Sequence, residues 1–274
     1  MTILVTGATG TVGRLIVDEL ARNGHQVRAL TRDPAKADLP EGVEVVAGDL
    51  AEPGSLTTAF EGVEAVHLIN FAGDDYAPLK TGEQLVELAA RSGVRKVTVL
   101  GGRADGPLEQ ALAASELEWT LLAPVEFMSN TLQWWAQTIK AEGVIREPFG
   151  GRLSALVHER DIAAVAATVL TGDGHAGRTY TLTGPQAITT AEKVRILSEA
   201  VGQEIRFVEL SEDEARAKWR ADGMGPETIE FLIGALGDTP EAGYTVVPTV
   251  EQVTGRAPRP FAQWAAEHAT AFKR

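Results

Sequence analysis

Seven residues near the start of the chain, Gly7-Ala8-Thr9-Gly10-Thr11-Val12-Gly13, have the types and spacing to hold a phosphate. Glycine lets the backbone turn tightly and approach an anion closely. The start of a following helix adds free N–H groups and a positive dipole end that suit a pyrophosphate. Such a string carries weight only between a strand and a helix. Here the apolar run Ile3-Leu4-Val5 precedes it, and Val12, Leu15, Ile16 and Leu20 follow at the one-face spacing of a helix. Gly7, Thr9, Gly10, Thr11, Val12 and Gly13 are therefore expected to line a dinucleotide site; the competing reading is a tight strand-to-helix turn without a ligand.

The end of the next strand, Gln26 to Leu30, selects the dinucleotide. NAD sites place an acid there for the ribose 2′-hydroxyl, about 20 residues past the motif. This chain has Thr31-Arg32 instead, and a guanidinium matches a 2′-phosphate through paired charge-assisted hydrogen bonds. Asp33 stands before Pro34 and reads as the start of a turn. NADP(H) is expected in preference to NAD(H), with Thr31 and Arg32 on its phosphate side. Gly48-Asp49-Leu50, after a third strand, is placed beside the adenine, with a plain turn as the rival reading of Asp49. Asn70, after a fourth strand, completes the expected set.

The elements that must position these residues alternate. Strands are predicted at 3–5, 26–30, 43–47, 65–69, 96–100, 119–122 and 179–182, with helices from Val12 and over 83–90, 108–114 and 161–170. That rhythm specifies an α/β fold, a doubly wound, parallel, Rossmann-like sheet with helices on both faces. Helices at 190–201, 211–220, 226–236 and 261–272 and strands at 207–210 and 245–247 then form a small C-terminal lobe covering the substrate. The expected division is a dinucleotide-binding domain over 1–185 and a smaller lobe over 186–274 packed on the strand ends, its last helix returning to the core.

Composition narrows the function classes. The chain has 274 residues, 44% hydrophobic and 23% charged, enough for a large core. A net charge of −13 disfavours nucleic acid and anionic membrane surfaces as partners. There is no cysteine, which excludes disulfides, thiolate metal sites and a thiol nucleophile, and points to the cytoplasm. No apolar run reaches the ~20 residues of a membrane span, and a strand beginning at Ile3 leaves no room for a signal peptide before it. The five histidines, at 25, 67, 158, 175 and 268, lack ligand spacing, so no metal is expected.

GATGTVG, then ALTRDP and GDL, resembles the short-chain dehydrogenase/reductase superfamily in its atypical, NmrA-like branch. The likeness continues through SELEWTLLAPVEFMSN (115–130), HERDIAAVAATVL (158–170), YTLTGP (180–185) and the terminal VTGRAPRPFAQWAAEH. It implies NADPH-dependent quinone and enone reductases, ketoreductases or catalytically silent NADP sensors. The wider superfamily reduces carbonyls with a Ser after the fifth strand and a Tyr-x-x-x-Lys on the next helix. Here the strand ends Leu100-Gly101-Gly102-Arg103, and the stretch 105–115 contains neither Tyr nor Lys. Tyr76-Ala77-Pro78-Leu79-Lys80 matches by spelling but comes one unit early, with Pro78 arguing against a helix.

Without the triad, chemistry narrows. Hydride addition to a ketone leaves an alkoxide that needs a positioned acid; addition to a quinone or enone leaves a delocalised oxyanion that water can protonate. The expected activity is thus an NADPH-dependent reductase for a flat, apolar, aromatic or quinone-like acceptor, and the alternative is a non-catalytic NADP(H) sensor acting through a protein partner. Phe127, Met128, Trp134, Trp135 and Phe149 are expected around the substrate, although adjacent tryptophans project ~100° apart on a helix. Any protein acid is Tyr76 or His158. A homodimer is compatible with the chain.

Overall fold

The computed structural model describes residues 1–72, 77–102 and 104–273, although the side chain of Ala72 is not among the described groups. β-Branched and aliphatic runs form seven strands of one sheet: β1 (Thr2–Val5), β2 (Gln26–Thr31), β3 (Glu44–Ala47), β4 (Val63–Ile69), β5 (Lys96–Leu100), β6 (Glu118–Pro124) and β7 (Thr179–Leu182). Every neighbouring pair is parallel, in the order β7-β6-β5-β4-β1-β2-β3. The chain therefore winds outward from β1 through β2 to β3 and then restarts at β4 on the other side of β1. A doubly wound sheet binds ligand outside the carboxyl ends of its strands at that reversal.

Helices cover the sheet because each carries an apolar stripe. On α1 (Gly13–Arg22), Ile16, Val17 and Leu20 are buried. On α2 (Gly82–Arg91) the stripe is Leu85, Val86 and Ala89. The short α3 (Pro107–Ala113) starts on a proline, whose missing N–H costs nothing at a first helical position. The alanine-rich α4 (Glu159–Thr171) is buried along nearly its whole length, so small side chains are what its position permits. It begins two residues before the predicted start at 161, so Asp161 sits in its first turn.

The structure divides into two compact units, and the division is interleaved. The first comprises Met1–Pro124, Glu159–Leu182 and Thr249–Arg256; the second comprises Val125–His158, Thr183–Pro248 and Ala257–Arg274. The expected single cut after residue 185 differs because the chain leaves the sheet at Pro124, returns for α4 and β7, and then leaves again. The terminal helix belongs to the second unit.

In that unit, helix Asn130–Glu142 ends on Gly143 in the left-handed region (φ 67°). Helices Thr190–Val201 and Glu212–Ala221 start with reciprocal capping boxes, Thr189 with Glu192 and Ser211 with Glu214. Val144–Pro148 pairs in parallel with Arg206–Leu210. Its core gathers Trp135, Ile139, Ile145, Leu197, Phe261, Trp264 and Phe272. A satellite cluster of Ala215, Trp219, Ile229 and Ile233 joins Glu212–Ala221 to Pro226–Gly237.

Two predicted elements differ. Thr245-Val246-Val247 is not a strand; Val247 instead donates its N–H to the Thr183 hydroxyl at 3.1 Å, a side-chain contact that no alternation pattern reveals. The helix expected over 261–272 breaks after Glu267 into a 3₁₀ turn, Ala269–Phe272. Among the described residues no helix is long and apolar enough to cross a membrane.

Candidate cofactor and active site

The loop after β1 is built to bring backbone close to backbone. Gly7 adopts φ +59°, a conformation that glycine tolerates without strain. A β-carbon on Gly13 would lie 2.1 Å from the Gly7 carbonyl oxygen, so the start of α1 can pack on the loop only with glycine there. Gly10 donates its N–H to Gly7 O at 2.9 Å and closes the turn. Thr9, Gly10 and Thr11 are exposed on its outer side, while Val12 and Gly13 are buried. The N–H groups of Thr11, Val12 and Gly13 donate to nothing among the described residues, no side chain caps α1, and its first turn carries no acid. These donors and the dipole behind them fit an anionic pyrophosphate.

Across the reversal point, the loop is tied to β4. Thr6, fully buried, donates its N–H to His67 O at 3.0 Å and accepts from the Ile69 N–H at 3.1 Å. The Ile69 side chain stands 3.2 Å from where a Gly7 β-carbon would be. His67 is wholly buried, with Nδ1 2.8 Å from the Thr98 hydroxyl and no partner for Nε2 among the described residues. Burial lowers its pKa to about 4, so the ring is neutral at physiological pH.

At the end of β2, Thr31 accepts from the Asp33 N–H at 3.2 Å, and Asp33 accepts from the Ala35 N–H at 3.2 Å, starting the Pro34–Lys36 turn. Asp33 is thereby the turn residue the sequence indicated. Arg32, the next residue after β2, is exposed. Asp49 likewise accepts from the Ala51 N–H at 2.9 Å in a local turn, and Leu50 is buried with its carbonyl taking the Thr81 hydroxyl at 2.6 Å.

Asn70, the residue after β4, donates its Nδ2 to the Glu109 carboxylate at 2.8 Å. Glu109 lies on α3, is fully buried, and is a residue the sequence gave no reason to single out. It lies within 105–115, the stretch in which the wider superfamily would carry its Tyr and Lys.

The aromatic candidates separate. Trp135 is 3% exposed, Trp134 is 49% exposed, and the ~100° helical step explains the split. Trp135 is a core side chain whose Nε1 donates to Glu147 at 3.2 Å, under the Lys193 ammonium at 5.2 Å from the ring centroid. Met128 is also core. Phe127 is half-buried and bridges to Val157. Phe149 holds a left-handed backbone (φ 58°) and packs against the satellite cluster, where a β-carbon on Gly237 would stand 3.0 Å from its ring. His158 is 2% exposed, with Nε2 3.3 Å from the Glu267 carboxylate, the setting of a structural histidine and not of an exposed acid. Tyr76 lies outside the described residues.

Sequence reasoning also missed a buried charge cluster in the second unit. Glu126 accepts from Lys193 at 2.9 Å and from Arg152 at 2.8 Å. Burial alone would raise the Glu126 pKa, but the two adjacent cations hold it down to about 2. Burial lowers that of Lys193 against the pull of Glu126. Burial also raises that of Glu147. Residues 126, 152 and 193 are far apart in sequence, so only periodicity of burial on helix Thr190–Val201 could have flagged Lys193.

Residues 7–108 match a family described as NAD(P)H-binding. Over 98% of this chain and 99% of the relative, 42% of residues are identical to a (4-alkanoyl-5-oxo-2,5-dihydrofuran-3-yl)methyl phosphate reductase of Streptomyces griseus. An NAD(P)H azoreductase of Xenophilus azovorans is 36% identical over the same shares. Among solved structures, an Escherichia coli NADPH-dependent quinone oxidoreductase complexed with NADPH is similar with a TM-score of 0.81 and 26% identity, covering 97% of this chain and 99% of that one.

Proposed function

This chain belongs to the NAD(P)H-binding, NmrA-like branch of the short-chain dehydrogenase/reductase superfamily, and from that membership we propose that it is an NADPH-dependent reductase of flat, conjugated acceptors. The observation that carries the acceptor class is the chemistry after β5. Where a ketone reductase needs a Ser, a Tyr and a Lys, this chain has Gly101, Gly102 and a buried Glu109 bonded to Asn70. Bound NADPH supplies a hydride. The chain's residues then hold the dinucleotide: Gly7, Thr9, Gly10, Thr11, Val12 and Gly13 take the pyrophosphate, Thr31 and Arg32 the 2′-phosphate, Asp49 and Leu50 border the adenine, and Asn70 meets the far half. Phe127 is the remaining aromatic candidate for the acceptor's face.

The furanone reductase relative supports an enone. Its name describes a ring carbon–carbon double bond conjugated with carbonyl groups. Hydride adds to the β-carbon, the electron pair moves onto the carbonyl oxygen, and water returns a proton to the α-carbon. No protein acid is needed for that protonation. The −13 net charge supports a small-molecule acceptor without a nucleic-acid partner, and the cysteine-free composition supports a cytoplasmic home. A homodimer is the assembly to test first by sedimentation, because Trp134 stands 49% exposed.

Following NADPH absorbance with an acyl-butenolide phosphate, a quinone, an azo dye and an isolated ketone tests the reading. We expect oxidation with the conjugated acceptors, deuterium from heavy water at the product α-carbon, and no reaction with the ketone. Equal turnover of the ketone, or none of any acceptor, would overturn it. A Tyr76→Phe exchange that lowers the maximal rate ~10²-fold would move the proton from water to that phenol.

A further inference from the structure

The hydrogen bond between Asn70 and Glu109 is built into the backbone around it. A β-carbon on Gly101 would stand 2.4 Å from Asn70 Nδ2 and 3.3 Å from Glu109 Oε1; one on Gly106 would stand 2.3 Å from Glu109 Oε2. Two glycines of the connection from β5 to α3 thus make room for one side-chain pair. Glu109 is fully buried and its Oε2 has no partner among the described residues, an arrangement that costs free energy and calls for a reason. The Asn70 backbone is fixed as well, since its carbonyl takes the Leu79 N–H at 3.0 Å. Asn70 directly follows Ile69, whose side chain abuts Gly7 at the reversal point of the sheet.

A side-chain amide has two ends of opposite character. With Nδ2 held by Glu109, the end left over is Oδ1, which accepts no hydrogen bond among the described residues. We propose that Glu109 is a positioning residue that fixes the Asn70 amide with its NH2 inward, so that Asn70 presents an acceptor to the nicotinamide half of the dinucleotide. Its ligand group is then a hydrogen-bond donor, a ribose hydroxyl or a carboxamide N–H, and not a phosphate oxygen. The half is assigned by topology. Arg32 follows β2 on the adenine side of β1, and Asn70 follows β4 on the other side. The proposal rests on the dinucleotide site described above and not on the identity of the acceptor.

Binding measurements separate it from that reading. Glu109→Met is expected to weaken NADPH about tenfold in a fluorescence titration, the scale of one hydrogen bond. The same variant should hold adenosine 2′,5′-bisphosphate, which lacks the nicotinamide half, within about twofold of the parent. Glu109→Gln, whose carbonyl can still accept from Asn70, should restore NADPH affinity. Unchanged NADPH affinity in Glu109→Met, or equal loss of both ligands, would overturn the assignment. Should Glu109→Met not fold, the wild-type protein decides: NMR should show the Asn70 NH2 protons protected from solvent exchange, and free exchange would overturn it. A parent protein that binds NADPH and reduces nothing would instead sink the reductase reading alone.

Discussion

The loop of the first unit and the charge cluster of the second handle polar groups in opposite ways. Around Glu126 the carboxylate is satisfied inside the protein, with both oxygens taken by Lys193 and Arg152. At the start of α1 three N–H groups in a row donate to nothing among the described residues, and no side chain caps the helix. The lesson is about what each polar group is for. A buried ion pair serves the architecture and must be complete, because an uncompensated interior charge is costly. Donors left open at the start of a helix suit the oxygens of an anionic ligand. Asn70 shares both habits, with its amide nitrogen bonded to Glu109 and its oxygen accepting nothing among the described residues.

That contrast can be broken most sharply at Glu126. Glu126→Leu leaves Lys193 and Arg152 facing one another without their anion, and should cost about 3–5 kcal/mol in urea unfolding. Loss within the noise of a surface substitution would show that the cluster is not the matched site described. Acid titration gives the next effect. His67 has a folded pKa near 4 against an ordinary 6.5, so the unfolded chain binds the proton first as pH falls. Its stabilisation is complete above pH 6.5 and lost towards pH 4, about 3 kcal/mol in all. His67→Gln should flatten that limb of the stability curve. Glu126 acts in a lower window, its contribution lost as pH falls from 4.5 towards 2. On the ligand side, Arg32→Ala should weaken NADPH by about 1.5–3 kcal/mol and leave NADH unchanged, as titration of the two dinucleotides would show. Equal effects on both would remove Arg32 from the 2′-phosphate. The smallest effect is expected at Trp134, where replacement by Ala should shift monomer stability by no more than about 0.5 kcal/mol.

Local signals were legible where geometry is local. Lys96–Leu100, Thr179–Leu182 and Thr190–Val201 coincide with the segments predicted from pattern alone, because buried parallel strands and capped amphipathic helices write their periods into sequence. Asp33 before Pro34 announced a turn, and two adjacent tryptophans announced that they would not share one face. Tertiary exposure was not legible. Met128, Trp135 and Phe149 have the composition of a binding wall and the positions of packed interior residues. Residue type states that a ring wants burial and says nothing of whether substrate or protein provides it.

The sequence by itself determined the parallel sheet, the dinucleotide motif and the guanidinium in place of an acid after β2, since each follows from neighbours a few residues apart. Only the tertiary structure decided that the chain crosses between its two units repeatedly, that residues 126, 152 and 193 meet, and that Asn70 is held by Glu109 across 39 positions of sequence. Those contacts depend on which strands lie side by side and on the room two glycines leave between them. Spacing along the chain carries no record of that.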